Sequence, residues 1–334
     1  MSPSDRTQSG KIAVVHQGAL GDFLLALPIL EGLHRSYPRI RLKLWVKAEH
    51  VALLAEKPYI EKEHPPDDLE LTPFFHDELW REAKTPRFFE DTLAILIFGQ
   101  AGSRVLTTRL SARLPCPVQW LQSFPNPGST QHVHHFLLEQ CRQLGWSVEE
   151  CLPQLKPPRI EQSFVQEYLR RKTPTPIGKP IVVHPGSGGL RKIWPLKNWW
   201  ALFRFLVEQY RFPVYLTLGP ADERLKSFAR EAEKLDVTVL EGFSLPRLAA
   251  FLAESQLFIG SDSGVSHLAA LMGIPTLAIF GPTDPGIWAP RGSNAHIIRE
   301  SWEEAEVLTW SPDPPAATLN PHVLEAVKSL LPSS

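Results

Sequence analysis

The chain has 334 residues, of which 43% are hydrophobic, and its formal net charge is −1 at pH 7. This length is sufficient for two domains of ordinary size. The balanced charge excludes a global electrostatic field that would gather nucleic acid or an anionic membrane. Three cysteines without CxxC or Cys/His metal spacing argue against a disulfide framework and a metal site. We therefore expect a cytoplasmic protein without a targeting or membrane-spanning segment.

Strand and helix patterns alternate through the first 150 residues. Buried strands are predicted at 11–15, 41–47 and 91–99, and amphipathic helices at 23–35 and 133–146. The intervening segment is charged and interrupted by prolines, and it contains one predicted helix at 77–83.

The same alternation restarts after a proline-rich linker, TPTPIGKP, at residues 173–180. The linker is preceded by a predicted surface helix at 161–172. Strands are predicted at 181–186, 214–219, 237–242, 257–261 and 274–280, with helices at 196–210, 222–235, 245–255 and 264–272. Strands that alternate with helices indicate right-handed βαβ units around a parallel sheet. We predict an α/β protein with two Rossmann-like domains, at residues 1–165 and 175–318.

A loop of small polar residues opens the stretch SDSGVSHLAALMGIPTLAIFGPTDPG, at residues 261–286. Unpaired backbone N–H groups at a helix start favour an anion, and Gly264 would allow one to approach the backbone closely. His267, one turn further on, could add a donor. The alternative is that Asp262 or Ser263 simply caps the helix and that His267 is a buried core histidine.

Two further loops follow predicted strands. HPGSGGLRKIWP, at 184–195, offers glycines, the hydroxyl of Ser187 and the cation of Lys192, which together suit a diphosphate. HQGALGD, at 16–22, places Asp22 where a helix begins, as a helix cap or as a general base. For Lys192 the alternative is a solvated surface charge. In parallel sheets ligands bind outside the carboxyl ends of the strands, where these loops lie.

Four stretches together resemble glycosyltransferase family nine, the ADP-heptose:lipopolysaccharide heptosyltransferases: GALGDFLLALPIL, HPGSGGLRKIWP, LGPADE and SDSGVSHLAALMGIPTLAIFGPTDP. Their order and spacing match the family over about residues 20–35 and 180–292. The resemblance implies a GT-B fold, in which two Rossmann-like domains face a central cleft. The first domain would bind the acceptor and the second the nucleotide sugar. The C-terminal helix, at about 320–332, would pack back on the first domain.

The resemblance also implies roles for individual residues. Asp22 resembles the catalytic base, and Lys192 resembles the cation on the donor phosphates. Glu223 resembles the carboxylate that holds the ribose hydroxyls, and Asp262 resembles a ligand of the donor sugar. The other expected donor-binding residues are Ser187, Ser263, Gly264, Val265 and His267.

The expected acceptor site is less specified. Family members that act on a Kdo-phosphate core present basic residues from the first domain, for which Arg104, Arg109 and Arg113 are the candidates here. The chain departs from the family pattern at His16, Gly18 and Ala19, before the Gly–Asp pair. The acceptor and the donor sugar therefore stay open.

The resemblance implies an inverting reaction that needs neither a metal nor a cofactor other than the ADP-heptose-like donor. The expected partners are that donor and a glycan or glycolipid acceptor at the inner membrane surface, without nucleic acid. One alternative is a nucleotide-sugar epimerase of the same fold, which would need an extra acid/base pair. Another is a catalytically silent sugar-nucleotide-binding protein, which would have no need to keep Asp22, Lys192 and Asp262 together.

Overall fold

The computed structural model describes residues 9–61, 68–172, 178–210, 212–311 and 319–331. The chain divides into two compact units, Met1–Pro153 and Gln154–Ser334. Each unit is built around a parallel β-sheet, as the alternating pattern predicts.

The first unit contains a four-stranded parallel sheet in the order β2-β1-β3-β4. Its strands are β1 (Gly10–His16), β2 (Ile40–Val46), β3 (Thr92–Gly99) and β4 (Val118–Gln122). Its helices are α1 (Leu20–Ser36), α2 (Ala48–Ala52), α3 (Ser103–Ser111) and α4 (Val133–Gln143). The strands β1 and β3 are almost entirely apolar, as expected of strands that are covered on both faces.

Several predictions for the first unit were wrong or incomplete. The helix expected at 77–83 is replaced by a short 3₁₀ turn at Leu79–Arg81, which follows another at Thr72–Phe75. Helices α2 and α3 and strand β4 were not predicted. Prolines surround β4 and suggested a loop there. The carbonyl of Pro117 accepts a hydrogen bond from the backbone N–H of Ile95. An edge strand tolerates proline at its start, since the missing N–H is not needed there.

The second unit contains a six-stranded parallel sheet in the order β10-β9-β8-β5-β6-β7. Its strands are β5 (Ile181–His184), β6 (Val214–Thr217), β7 (Val237–Leu240), β8 (Leu257–Ser261), β9 (Thr276–Phe280) and β10 (Ala295–Arg299). Its helices are α5 (Arg159–Lys172), α6 (Leu196–Gln209), α7 (Lys226–Ala232), α8 (Leu245–Ala253), α9 (Gly264–Leu271), α10 (Pro285–Trp288) and α11 (Pro321–Leu330). The sequence patterns missed strand β10 and the short helix α10.

Helix α5 belongs to the second unit, so the boundary lies near residue 153 rather than 165. Its Glu161 pairs with Arg247 of α8 at 2.8 Å. The Arg247 guanidinium also stacks 3.9 Å from the centre of the Phe164 ring. A surface-helix pattern fixes which face of α5 is polar, but it does not identify the neighbour that covers the other face.

The C-terminal helix α11 buries Val323 and Val327 in the hydrophobic core of the second unit, together with Trp199 and Phe203 of α6. Packing of this helix on the first domain, which the resemblance implied, stays a prediction. The valines are four residues apart and therefore form one apolar stripe on the helix.

Both sheets reverse their strand order once, between β1 and β3 in the first unit and between β5 and β8 in the second. At such a point the connections leave the sheet in opposite directions and open a crevice outside the carboxyl ends of the strands. The loops singled out in the sequence begin at these two points.

Helix α1, which carries Asp22, is held against the segment 147–149 of its own unit. The backbone N–H of Glu149 donates to Ser36 Oγ at 3.0 Å, and that of Ser147 donates to Tyr37 Oη at 3.0 Å. Gly32 allows this close approach, because a methyl group there would overlap the carbonyl oxygen of Glu149.

We expect Gly32→Ala to lower the free energy of unfolding by about 1–3 kcal/mol, since backbone atoms have to move to accept the added methyl group. Gly102→Ala is the matched control, because the space around Gly102 is open and its φ of −60° suits alanine. Urea unfolding of both variants measures the difference. Equal stabilities would show that the 147–149 segment is not held tightly against α1.

Candidate functional site

Three loops of the second unit meet at the carboxylate of Asp262, directly after β8. The Nζ atom of Lys192, from the loop after β5, lies 3.0 Å from Asp262 Oδ2. Thr283 from the loop after β9 donates its hydroxyl hydrogen to the same oxygen at 2.6 Å. Asp262 is only 4% exposed, so this carboxylate is stabilised by its partners rather than by water.

The loop after β5 is tied to the loop after β8 by two more hydrogen bonds. Ser187 Oγ donates to the carbonyl of Asp262 at 2.6 Å, and Ser261 Oγ donates to the carbonyl of Pro185 at 2.7 Å. Trp194 is buried against Trp199 of α6 with its ring edge-on. Lys192 is therefore anchored on both sides.

Helix α9 begins at Gly264, and Ser263 is its N-cap, with Ser263 Oγ accepting from the N–H of Ser266 at 3.4 Å. The capping alternative is thus confirmed for Ser263, whereas the side chain of Asp262 points to Lys192 and Thr283 instead. Val265 and His267 are buried in the first turns of the helix. A capped N-terminus still leaves N–H groups that can bind an anion.

The loop after β6 buries Asp222, a residue that the sequence patterns did not single out. Its Oδ2 accepts from the N–H of Gly219 at 2.7 Å and lies 3.9 Å from His184 Nε2. Burial lowers the pKa of His184, and the Asp222 carboxylate opposes this shift. A Cβ at Gly186 would overlap the Asp222 carboxylate, so Gly186 is needed for this contact.

Glu223, the expected ribose ligand, lies at the carboxyl end of the same sheet but has an exposed side chain that pairs with Lys226 at 2.6 Å. A pocket of about 350 Å³ adjoins this loop, at the ends of β6 and β7. Its lining includes Gly219, Lys226 and Arg230. Glu223 is thus next to a cavity, although its carboxylate does not line it.

The first unit has a pocket of about 260 Å³ at the point where its strand order reverses. It is lined by residues from the ends of β1 and β3, from the segments that follow β1, β3 and β4, and from the 3₁₀ turn Thr72–Phe75: Val15, Gln17, Gly18, Asp22, Phe75, Ile97, Phe98, Gly99, Gln100, Ser103, Leu106, Ser123 and Phe124. The candidate base, Asp22, therefore faces a cavity large enough for part of a sugar.

Asp22 lies in the first turn of α1, and its Oδ2 accepts from the N–H of Ala19 at 3.2 Å. Both expected properties, the cap and the cavity-facing carboxylate, are present in the same side chain. His16, at the end of β1, is buried nearby, and burial lowers its pKa to about 4. This histidine is therefore neutral at pH 7.

The three arginines expected to bind the acceptor do not line this pocket. Arg109 binds Asp77 and the carbonyl of Phe74, and Arg104 stacks 4.2 Å from the centre of the Trp120 ring. Arg113 donates to backbone carbonyls of the 80–83 segment, including that of Ala83 at 2.9 Å. Arg109 and Arg113 thus hold the irregular 68–83 segment, and Arg104 packs on the edge strand β4. The sequence alone cannot distinguish such structural roles of an arginine from ligand binding.

The family model for glycosyltransferase family 9 (heptosyltransferase) matches residues 135–311, more than half of the chain. The chain belongs to glycosyltransferase family 9. It is therefore a glycosyltransferase, and the family named from the sequence motifs is confirmed.

Relatives of this family 9 chain include lipopolysaccharide heptosyltransferase 3 of Escherichia coli. It is 26% identical over 296 residues, which cover 82% of this chain and 84% of the relative. Lipopolysaccharide heptosyltransferase 1 of E. coli O18:K1:H7 is 24% identical over 321 residues, covering 90% and 94%.

Solved structures confirm the fold. A family 9 glycosyltransferase of Veillonella parvula superposes with a TM-score of 0.75 at 18% identity, covering 96% of this chain and 97% of the other. ADP-heptose lipopolysaccharide heptosyltransferase II of E. coli gives 0.69 at 19%, covering 96% and 98%. The GT-B-type fold predicted from the motifs is thus confirmed.

One side-chain cluster of this family 9 chain was not anticipated. Glu150 Oε1 lies 3.5 Å from His134 Nε2 and 3.6 Å from His135 Nδ1, close enough for the three to hold a metal ion. None of them lines the pocket beside Asp22.

Among the described residues, no helix is both long and apolar enough to span a bilayer.

Proposed function

We propose that this chain is an inverting, metal-independent heptosyltransferase that moves a heptose from ADP-heptose to a lipopolysaccharide core glycan. The observation that carries the proposal is the meeting of Lys192, Asp262 and Thr283 at the reversal point of the second sheet. The relatives named above, which are lipopolysaccharide heptosyltransferases, support the choice of sugar and acceptor.

On this proposal the second unit binds the donor. The N–H groups at the start of α9, from Gly264 and Val265 towards His267, meet the diphosphate together with the loop that Ser187 holds. Asp262 accepts hydrogen bonds from the heptose hydroxyls, and Glu223 turns from Lys226 to the ribose. Lys192 supplies the positive charge that a divalent cation supplies in other transferases.

The first unit supplies the base. In an inverting transfer the acceptor hydroxyl enters opposite the leaving nucleoside diphosphate, and its proton must be removed as the new bond forms. Asp22 is the carboxylate that lines the pocket in the first unit, and it accepts that proton. Negative charge then grows on the leaving phosphate, where Lys192 stabilises it. An acceptor anchored in lipid brings the enzyme to the inner membrane surface.

A nucleotide-sugar epimerase is the alternative enzyme of this fold, and a silent binding protein is the non-catalytic alternative. The epimerase would convert the ADP-sugar into its epimer, with no net release of ADP and no gain of mass by an acceptor. The binding protein would leave both the donor and the acceptor unchanged.

We expect the purified protein, given ADP-heptose and a lipopolysaccharide core acceptor, to release ADP and add one heptose to the acceptor. The same rates are expected in excess EDTA, since Lys192 and helix N-termini meet the diphosphate charge. Coupled ADP detection and mass spectrometry of the acceptor measure both. Loss of turnover in EDTA that Mg²⁺ or Mn²⁺ restores would contradict the metal-free mechanism, and an unchanged acceptor mass would contradict transfer.

Asp22→Asn should reduce turnover by about 10²-fold or more, as expected from loss of a general base. The amide oxygen of asparagine can still accept from the N–H of Ala19, so the helix cap is retained. Thermal unfolding and calorimetric binding of ADP-heptose should therefore change little. If turnover is kept while stability falls by about 1 kcal/mol, Asp22 is a structural cap only.

Lys192→Gln should lower turnover by roughly 10²-fold, or about 2.7 kcal/mol, and weaken donor binding much less. Charge on the leaving phosphate increases as the glycosidic bond breaks, so the cation stabilises the transition state more than the bound donor. Glutamine can still donate to Asp262, which keeps that buried carboxylate partnered.

Arg191→Gln is the matched control, because it removes a neighbouring charge from the exposed side of the same loop. Steady-state kinetics and calorimetry on both variants separate the two effects. If Lys192→Gln loses donor affinity with turnover at saturation unchanged, Lys192 is a ground-state phosphate anchor.

A further inference from the structure

The pocket beside Asp22 is lined almost entirely by uncharged groups. Its lining contains two amides, Gln17 and Gln100, two hydroxyls, Ser103 and Ser123, and the ring of Phe75. Among the residues that the structure describes, Asp22 is its one charged lining side chain. An anion bound here would meet a carboxylate of the same sign, and none of the described lining residues offers a compensating positive charge.

The neighbouring cationic groups do not supply that compensation. The arginines of α3 and its C-terminal turn are engaged with the 68–83 segment and with Trp120, as described above. His16 is neutral at pH 7 because burial lowers its pKa to about 4, and burial lowers the pKa of His50 to about 4 as well. Lys47 follows β2 and is exposed, but it does not line the pocket.

Phe75, by contrast, contributes an exposed apolar ring to the pocket. It ends the 3₁₀ turn Thr72–Phe75 and remains 46% exposed, whereas its neighbour Phe74 is fully buried. That turn packs on α3, and the backbone carbonyl of Phe74 accepts from Arg109 at 3.0 Å. The Phe75 ring is therefore held at the pocket rather than in the core, and it offers an apolar surface to whatever enters.

We propose that this pocket binds the acceptor through an uncharged sugar residue, one without phosphate or carboxylate, which stacks on the ring of Phe75. An aromatic ring suits the C–H face of a pyranose, and amides and hydroxyls suit its hydroxyl groups. Gln17, Gln100 and Ser123 supply those polar contacts, and Asp22 faces the hydroxyl that reacts. The inference rests on the proposed function and narrows its acceptor to a neutral residue of the glycan.

The test is saturation-transfer NMR on the full chain with two matched oligosaccharides, a neutral heptosyl disaccharide and its phosphomonoester. The neutral sugar should bind at least about tenfold more tightly, and Phe75→Leu should weaken its binding by about tenfold, because the ring is lost while apolar volume is kept. Phe75→Trp should retain binding. Phe164→Leu, a half-exposed phenylalanine of the second unit, should bind like the unchanged protein.

Tighter binding of the phosphomonoester, particularly if Lys47→Gln abolishes it, would overturn the inference, as would unchanged binding in Phe75→Leu. Failure of the proposed function is measured separately by calorimetry with ADP-heptose. If the protein binds neutral sugar through Phe75 but not ADP-heptose, the assigned donor is wrong and the neutral-sugar pocket stands. If it binds ADP-heptose and the Phe75 variants have no effect, the donor stands and this inference is wrong.

Discussion

The buried carboxylate of Asp262 determines how the loops of the second unit are arranged. A carboxylate removed from water is costly unless charged and hydrogen-bonding partners surround it. Here the partners come from the loops after the two neighbouring strands, as Lys192 after β5 and Thr283 after β9. Ion pairing and hydrogen bonding to Asp262 thus bring together the loops after β5, β8 and β9, next to the point where the strand order of the sheet reverses.

The same contact has a chemical consequence. Lys192 is held by Asp262, so in the proposed mechanism its charge is already in place when a donor binds. A preorganised charge costs little reorganisation at the moment of reaction, which is why fixed cations are effective at developing phosphate charge. In the proposed mechanism the donor diphosphate shares this cation with Asp262.

The first unit uses its reversal point differently. Its pocket has the carboxylate of Asp22 in the first turn of a helix, and the other described lining residues are uncharged. The two units therefore differ in their electrostatic character, with a cation and a capped helix N-terminus in one and a carboxylate among uncharged lining residues in the other. This division matches the separate demands of a diphosphate leaving group and an acceptor hydroxyl.

The sequence by itself determined the two parallel-sheet units, most of their strands and helices, and the loops at which polar residues gather. It did so because strand and helix periodicities are local, and parallel strands bring their carboxyl ends to one edge. The tertiary structure alone decided which groups each of these polar side chains contacts. Thr283 meets Asp262 from 21 residues away, and Asp222 rather than Glu223 is buried after β6. Arg109 and Arg113 support the 68–83 segment, and Arg104 stacks on Trp120. Each of these outcomes depends on packing between segments distant in sequence, which fixes where a polar side chain can be satisfied.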